Sequence, residues 1–520
     1  MTVRSLSAWI DGVAKRDERR CALVEGETRL TFSDLARESR QVAAGLRDLG
    51  LRGGDSLALW LPNYHEWLVL DLACARLGLR VVALNTRYRT AELAPLLAVS
   101  RAKALVLTPS FRGADFLAMA RDVAPLVHLI TVRGASDGLV SYAQLREHGE
   151  AAAEGTASNL LNVFPTSGTT ASPKLAAHTQ AAVVTHAENV ARAIHLGAGD
   201  VMLMSLPLCG VFGFTGAMAA LGAGATLLLE VTFDADDAAR RLADQQVTHF
   251  YGPDGMLRAV IDSAAFDPRA VRAWRWGGFA NFTTGRPIEL IRHAEARAGV
   301  RLVGLYGSSE CFALMSSWRQ DDETETRAQA GGFPVSPEIE VRAGDPDSGA
   351  PLLPGERGEL QVRGYNVLHE YLGNPEATRA AFTGDGWFRS GDLGHVNPDG
   401  SFVFLTRLTD SLRVRGYLLD PAEVEEYLLR HPSVAQAQVV GIRSPVKGDI
   451  PVAFVQLVAG ASAAEEDLLA YCRQGIADYK VPRRICLLDK FPVVVGPNGV
   501  KIQRHRLREM ATGLLSDEGS

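Results

Sequence analysis

Apolar positions along the first part of the chain follow two alternating rhythms. Leu35, Val42, Leu46 and Leu49 recur at helical spacing, with Ser33 placed to cap the helix and Gly50 to end it. Gly53, Gly54 and Asp55 interrupt the pattern before a short apolar run at 56–61, which Pro62 and Asn63 close. A second helical rhythm through Trp67, Leu70, Ala73 and Leu77 leads to Gly78 and to apolar runs at 81–84 and 104–107. Strands alternating with helices predict a parallel sheet covered on both faces. The alternation resumes with a helix over 181–193 and a strand over 201–206. Residues 276–278 and 303–306 read as strand ends, where open α/β sheets collect ligands.

From Gly331 the texture changes to short alternating segments rich in Gly and Pro, such as 358–364, which predict a small antiparallel sheet or barrel. After Asp410 a compact α+β unit follows. Asp420, Pro421 and Glu423 make a capping box that opens a helix through Val424, Leu428 and Leu429. Ser462 with Glu465 opens another, and 452–457 is a strand. Residues 201–229 carry no charge and are long enough to cross a bilayer, but Pro207, Gly210, Gly213, Gly216, Gly222 and Gly224 break them up. A buried strand, loop, helix and strand is the reading that fits.

Composition narrows the class. A chain of 520 residues exceeds one core and predicts two or more domains. With 54 basic against 60 acidic residues and no Lys/Arg-dense run, neither nucleic acid nor an anionic membrane is the expected partner, which leaves a small molecule. Cys21, Cys74, Cys209, Cys311, Cys472 and Cys486 are widely spaced, and no secretory signal stands at 1–20, so reduced thiols in a cytoplasmic enzyme are expected. No internal repeat, low-complexity tract or appended carrier domain is visible, so the enzyme is expected to stand alone.

The chemistry centres on residues 164–174, where Thr166, Ser167, Gly168, Thr169, Thr170, Ser172 and Lys174 follow an apolar strand through Leu160, Leu161, Val163 and Phe164. Hydroxyls, a permissive glycine and one cation are what a loop wrapping phosphate oxygens needs. Composition alone equally describes an ordinary Ser/Thr-rich turn, and the run is not GxxxxGK[ST]. Further segments stand in order behind it: Tyr306-Gly307-Ser308-Ser309-Glu310, Phe388-Arg389-Ser390-Gly391-Asp392, Thr406-Arg407-Leu408-Thr409-Asp410 and Asn498-Gly499-Val500-Lys501.

Together these resemble, in order, the TSGTTGxPKG, YGxTE, YRTGD, GRxKD and terminal GK signatures of the adenylate-forming superfamily of acyl-CoA and aryl-CoA ligases, luciferases and peptide-synthetase adenylation domains. The resemblance spans nearly the whole chain. It implies an α/β fold with a large N-terminal domain, 1–409, of parallel α/β sheets plus a small β-barrel, and a small mobile α+β C-terminal domain, 410–520, with Asp410 as hinge. It also implies ATP, Mg²⁺ and CoA.

Residue by residue, the resemblance makes Glu310 and the Thr166 hydroxyl the metal ligands and assigns the phosphates to Ser167, Gly168, Thr169, Thr170 and Lys174. Asp392 accepts the ribose hydroxyls, Arg407 contacts ribose or phosphate, Tyr306 stacks on adenine, and Gly307 and Ser309 flank the nucleotide. Lys501, carried in by the small domain, meets the α-phosphate and the carboxylate. Taken singly, these residues have plainer accounts: a solvated glutamate at a helix start, a turn-forming Gly-Asp, a surface arginine, a core tyrosine, a solvated tail lysine.

The acid pocket implied by the resemblance comprises Cys209, Gly210, Phe214, Gly278, Phe279, Gly304 and Tyr306. Several positions depart from the family pattern. Ala171 and Leu175 replace loop glycines, Gly210 stands where many acyl-CoA ligases carry histidine, and Thr406 and Thr409 replace the glycine and lysine of GRxKD. No aspartate in 209–214 is available for an α-ammonium group, which disfavours amino acids. The expected reaction is activation of a carboxylic acid as acyl-adenylate, then transfer to CoA. Transfer to a carrier-protein thiol, or activation of nitrite for an aryl amine, is the alternative.

Overall fold

The computed structural model describes residues 4–123, 128–134, 138–166, 174–281, 287–408, 412–414, 417–419, 421–444, 448–476, 480–496 and 499–516. Six parallel strands form the centre of an eight-stranded sheet, running Leu160–Thr166, Arg80–Ala83, Ser56–Trp60, Ala102–Leu107, His128–Thr131 and Val140–Ser141. Lys174–Thr179 and Glu370–Tyr371 add antiparallel on one side. A five-stranded sheet containing Cys21–Glu25, Val201–Met204 and Thr226–Leu229 faces the same core.

Two helices of this core are buried on all sides. The helix His65–Leu77 is buried from Glu66 onward, and Val211–Ala223 is buried from Val211 to Leu221. A helix with no polar stripe has to be covered all round. The uncharged stretch is thus a strand, a loop, a 13-residue helix and the strand Thr226–Leu229. Among the described residues no helix is long and apolar enough to cross a membrane.

Two helix starts differ from expectation. Thr31, not Ser33, caps Phe32–Asp48: its Oγ1 accepts the Asp34 N–H at 3.1 Å while the Asp34 carboxylate accepts the Thr31 N–H at 3.0 Å. Glu465–Gly475 begins after Ala464 rather than Ser462, because Asp467 accepts the Ala464 N–H at 3.1 Å.

The antiparallel strands after Gly331 take the sheet form rather than that of a closed barrel. The pairing continues from parallel Gly252–Pro253, Gly278–Ala280 and Val303–Tyr306 through Ser316–Ser317 and Gly331–Pro334. It then passes to Phe402–Arg407, Phe388–Val396, Gly358–Arg363 and Glu340–Gly344, an open path of nine strands. This region also lends Glu370–Tyr371 to the first sheet. A last sheet built on Val434–Ser444 and Gly448–Leu457 carries the helices Pro421–Leu429 and Glu465–Gly475 against it. The hairpin Val493–Gly496 and Gly499–Ile502 lies beyond.

Candidate active site

The strands Leu160–Thr166 and Lys174–Thr179 form a hairpin whose last register pair is Thr166 with Lys174. Ser167, Gly168, Thr169 and Thr170, and the hinge Asp410, lie outside the described residues. The Lys174 ammonium sits 5.0 Å from the centre of the Tyr371 ring, and the Tyr371 hydroxyl donates to Glu310 Oε1 at 3.1 Å. Tyr371 reaches this position because Glu370–Tyr371 pairs with the phosphate-loop hairpin at Ala176. Burial and the Glu310 carboxylate push its phenol well above the usual range, so it stays a donor. Glu310 lies in a turn, not at a helix start.

On the neighbouring sheet Asp392 and Arg407 are a register pair, with Arg407 Nε 2.9 Å from Asp392 Oδ1. The Tyr306 hydroxyl donates to Asp392 Oδ2 at 2.6 Å, and its ring packs with Phe402 and Phe404. Asp392 is buried, and burial lifts its carboxyl to about 6 against the pull of Arg407 and Tyr306. Its Oδ1 has no aligned hydrogen-bond donor despite the nearby guanidinium. A buried acceptor in this state fits a hydroxyl donor such as a ribose diol. Glu310 also raises Asp392 electrostatically, so the two carboxylates share one neighbourhood with Lys174 and Arg407. For a hard cation, the half-buried Glu310 and Thr166 offer a carboxylate and a hydroxyl, the oxygen donors Mg²⁺ takes.

Gly307 fits because a Cβ there would lie 2.6 Å from Ala313 Cα. Ser309 gives its carbonyl to His178 Nε2 at 2.8 Å. Lys501 stands in Gly499–Ile502 across from Val494. The sequence reading missed Tyr371, His178 and His186. The two histidines stand within a dozen residues of Lys174, the one signal that could have drawn attention to them.

The residues expected to line the acid pocket lie in different surroundings. Cys209 is buried, its thiol pushed up to about 12, and Gly210 precedes the helix Val211–Ala223 as its cap. Gly278 lies against Leu305. Three others face packed interiors. Phe214 is a core residue, fully buried against Trp67 and Phe164 at 5.6 Å between ring centres. Phe279 points the other way from Gly278, into a second core with Leu257, Leu290 and Ile291. Gly304, its register partner, faces that same side, where a Cβ would meet the Gln329 carbonyl at 2.0 Å. Alternation along a strand puts neighbours on opposite faces, so Gly278 and Phe279 could not both line one pocket.

Residues 10–372 match the family model described as AMP-binding enzyme, and residues 423–494 match the one described as AMP-binding enzyme C-terminal domain. The chain is similar to the 2-succinylbenzoate–CoA ligase of Bacillus licheniformis, at 31% identity over 503 residues covering 96% of this chain and 98% of that protein. Among solved structures it resembles ATP-bound MatB from Rhodopseudomonas palustris, with TM-score 0.85, 25% identity and coverage of 97% and 98%. It also resembles the O-succinylbenzoate coenzyme A synthetase MenE from Bacillus subtilis in complex with AMP, with TM-score 0.81, 26% identity and coverage of 96% and 98%.

Proposed function

Because the chain belongs to the AMP-binding enzyme family, we propose that it is an ATP-dependent acid–CoA ligase. The acid's carboxylate oxygen attacks the α-phosphorus of ATP, pyrophosphate leaves, and the CoA thiolate then attacks the acyl carbon to release AMP. The attacking carboxylate is already ionised, so the protein's work is positioning and cationic stabilisation. Lys174, beside the phosphate loop, faces the oxygens on which charge grows. Asp392 takes the ribose hydroxyls through the oxygen that lacks an aligned donor, and Arg407 guards the rim of that site. Glu310 and Thr166 would hold Mg²⁺, which neutralises phosphate charge when bound. Lys501 arrives from the C-terminal unit, 410–520, swinging at Asp410 against the large unit, 1–409. The six thiols, free and mostly buried, suit a reducing cytoplasm.

The observation that carries this reading is the convergence of Lys174, Glu310, Asp392 and Arg407, linked by Tyr371 and Tyr306, from four separated segments. The test is pyrophosphate release over a panel of aryl and aliphatic acids, with and without CoA. Acid-dependent release, with acyl-CoA formed when CoA is present, is expected. Release with no acid on the panel would overturn the reading, and release without thioester formation would move the acceptor to a carrier thiol or an amine.

A further inference from the structure

The turn that carries Glu310 is held in an unusual shape. Phe312, Ala313 and Leu314 have φ of +63°, +44° and +42°, three successive side-chain-bearing residues in the left-handed region. Such residues visit that region rarely, and a run of them persists only where the surroundings impose it. Gly307 lets the turn fold back on itself, and the N–H groups of Ala313 and Met315 return to the carbonyls of Ser308 and Tyr306 at 2.9 and 3.1 Å.

What imposes the shape is a set of donors from outside the turn. Five successive carbonyls are filled: Ser309 by His178 Nε2 at 2.8 Å, Glu310 by the Leu368 N–H at 2.7 Å, and Cys311 by Asn366 Nδ2 at 2.9 Å. Thr215 Oγ1 fills Phe312 at 2.9 Å, and His186 Nε2 fills Ala313 at 2.7 Å. Carbonyls only accept, so both imidazoles carry their proton on Nε2. His186 Nδ1 is then the acceptor for the Tyr365 hydroxyl at 3.3 Å, which itself receives the Asn189 amide at 2.7 Å. The side chains of His178, His186, Thr215 and Asn366 are all buried, and the Phe312 ring meets both imidazoles edge to face. These donors stand on different elements. His178 is four residues beyond Lys174 on the phosphate-loop strand, and Thr215 is on the helix that follows the acid segment.

We propose that His178, His186, Thr215 and Asn366 are positioning residues that hold the carbonyls of Ser309, Cys311, Phe312 and Ala313 and thereby fix the Glu310 carboxylate beside Tyr371. The inference deepens the reading of Glu310 as the metal carboxylate and rests on it. Burial keeps both imidazoles neutral, lowering His178 to about 3 and His186 to about 4. The turn thus joins the phosphate strand, the acid helix and the metal carboxylate through main-chain oxygens, which no side-chain motif records.

The test uses the full-length protein with Thr215→Val and His186→Phe, each removing one donor at nearly constant shape, and Thr215→Ser and His186→Gln, which keep it. Val260→Ala, in the second core, controls for general destabilisation. The first readout is the free Mg²⁺ concentration giving half-maximal acid-dependent pyrophosphate release. The second is hydrogen exchange at the Ala313 and Met315 amides. Thr215→Val and His186→Phe are expected to raise the half-saturating Mg²⁺ at least about fivefold and to speed exchange at least about tenfold, as loss of one hydrogen bond between buried groups does. Thr215→Ser and His186→Gln restore both, and Val260→Ala moves neither. Unchanged exchange, or faster exchange with an unchanged Mg²⁺ requirement, overturns the proposal. A parent protein that releases no pyrophosphate with any acid overturns instead the ligase reading, and is recognised by the parent alone.

Discussion

Asp71, on the helix His65–Leu77, is buried against the central sheet, where Asn162 donates to its Oδ1 at 2.6 Å while Asp71 Oδ2 and Asn162 Oδ1 have no partner among the described residues. One proton on the carboxyl gives the pair a donor, and burial lifts Asp71 to about 7 from 3.8. The unfolded chain gives up this proton first, so the stability the group contributes is present below pH 3.8 and is lost as pH rises toward 7. Asp71→Asn supplies the donor at every pH. Its thermal midpoint is expected to match the parent at low pH and to exceed it by a few degrees, on the order of 2–4 °C, at pH 8; equal midpoints at pH 8 would refute the protonated pair. His178 and His186 act at the other end. Their folded values of about 3 and about 4 lie below the 6.5 of a free imidazole, so their contribution is present above 6.5 and is lost as pH falls through the folded values.

At the scale of elements, the two-residue strand Glu370–Tyr371 decides more than its length suggests, because it brings one phenol between Lys174 and Glu310. Tyr371→Phe keeps the ring under Lys174 and removes the hydroxyl. Loss of a hydrogen bond to a carboxylate predicts a fall of about tenfold or more in kcat/KM for acid-dependent pyrophosphate release, read by steady-state kinetics, with the fold intact by circular dichroism. No periodicity exists in two residues, so the sequence could not announce this strand. Long elements were legible because period and punctuation agree, as in the helix His65–Leu77 closed by Gly78. Glu310, Asp392 and Arg407 were legible through the order of their motifs. The packing of Phe214 and Phe279 was not legible, because a helix buried on every side, or a three-residue strand, does not say which way a ring faces. The carbonyl clasp was invisible because its acceptors are main-chain atoms common to every residue.

At the scale of the molecule, the C-terminal unit touches the large one through Arg357 and Glu423, whose side chains meet at 2.6 Å. Its hairpin stands out from its own sheet, with Val493 and Val494 50% and 46% exposed. Adjacent strand residues point to opposite faces, so at Val493 and Val494 the strand is exposed on both, while Ile502 packs on the core around Phe454 and Leu507. That suits an arm delivering Lys501 to a site on the other unit. Lys501→Ala is expected to abolish acid-dependent pyrophosphate release while leaving thioester formation from a supplied acyl-adenylate; equal loss of both half-reactions would contradict the two-position arm. Asp392 and Arg407 meet for a different reason: Phe388–Val396 and Phe402–Arg407 pair in two alignments, with the register shifting between Leu393 and Gly394. Sliding those strands past each other by a single position would throw the acid and the base to opposite sides of the sheet. The irregularity between Leu393 and Gly394 therefore sets the gauge of this pair from inside the sheet: a ladder regular through Leu405 would put Arg407 across from Gly391 and leave Asp392 without its guanidinium.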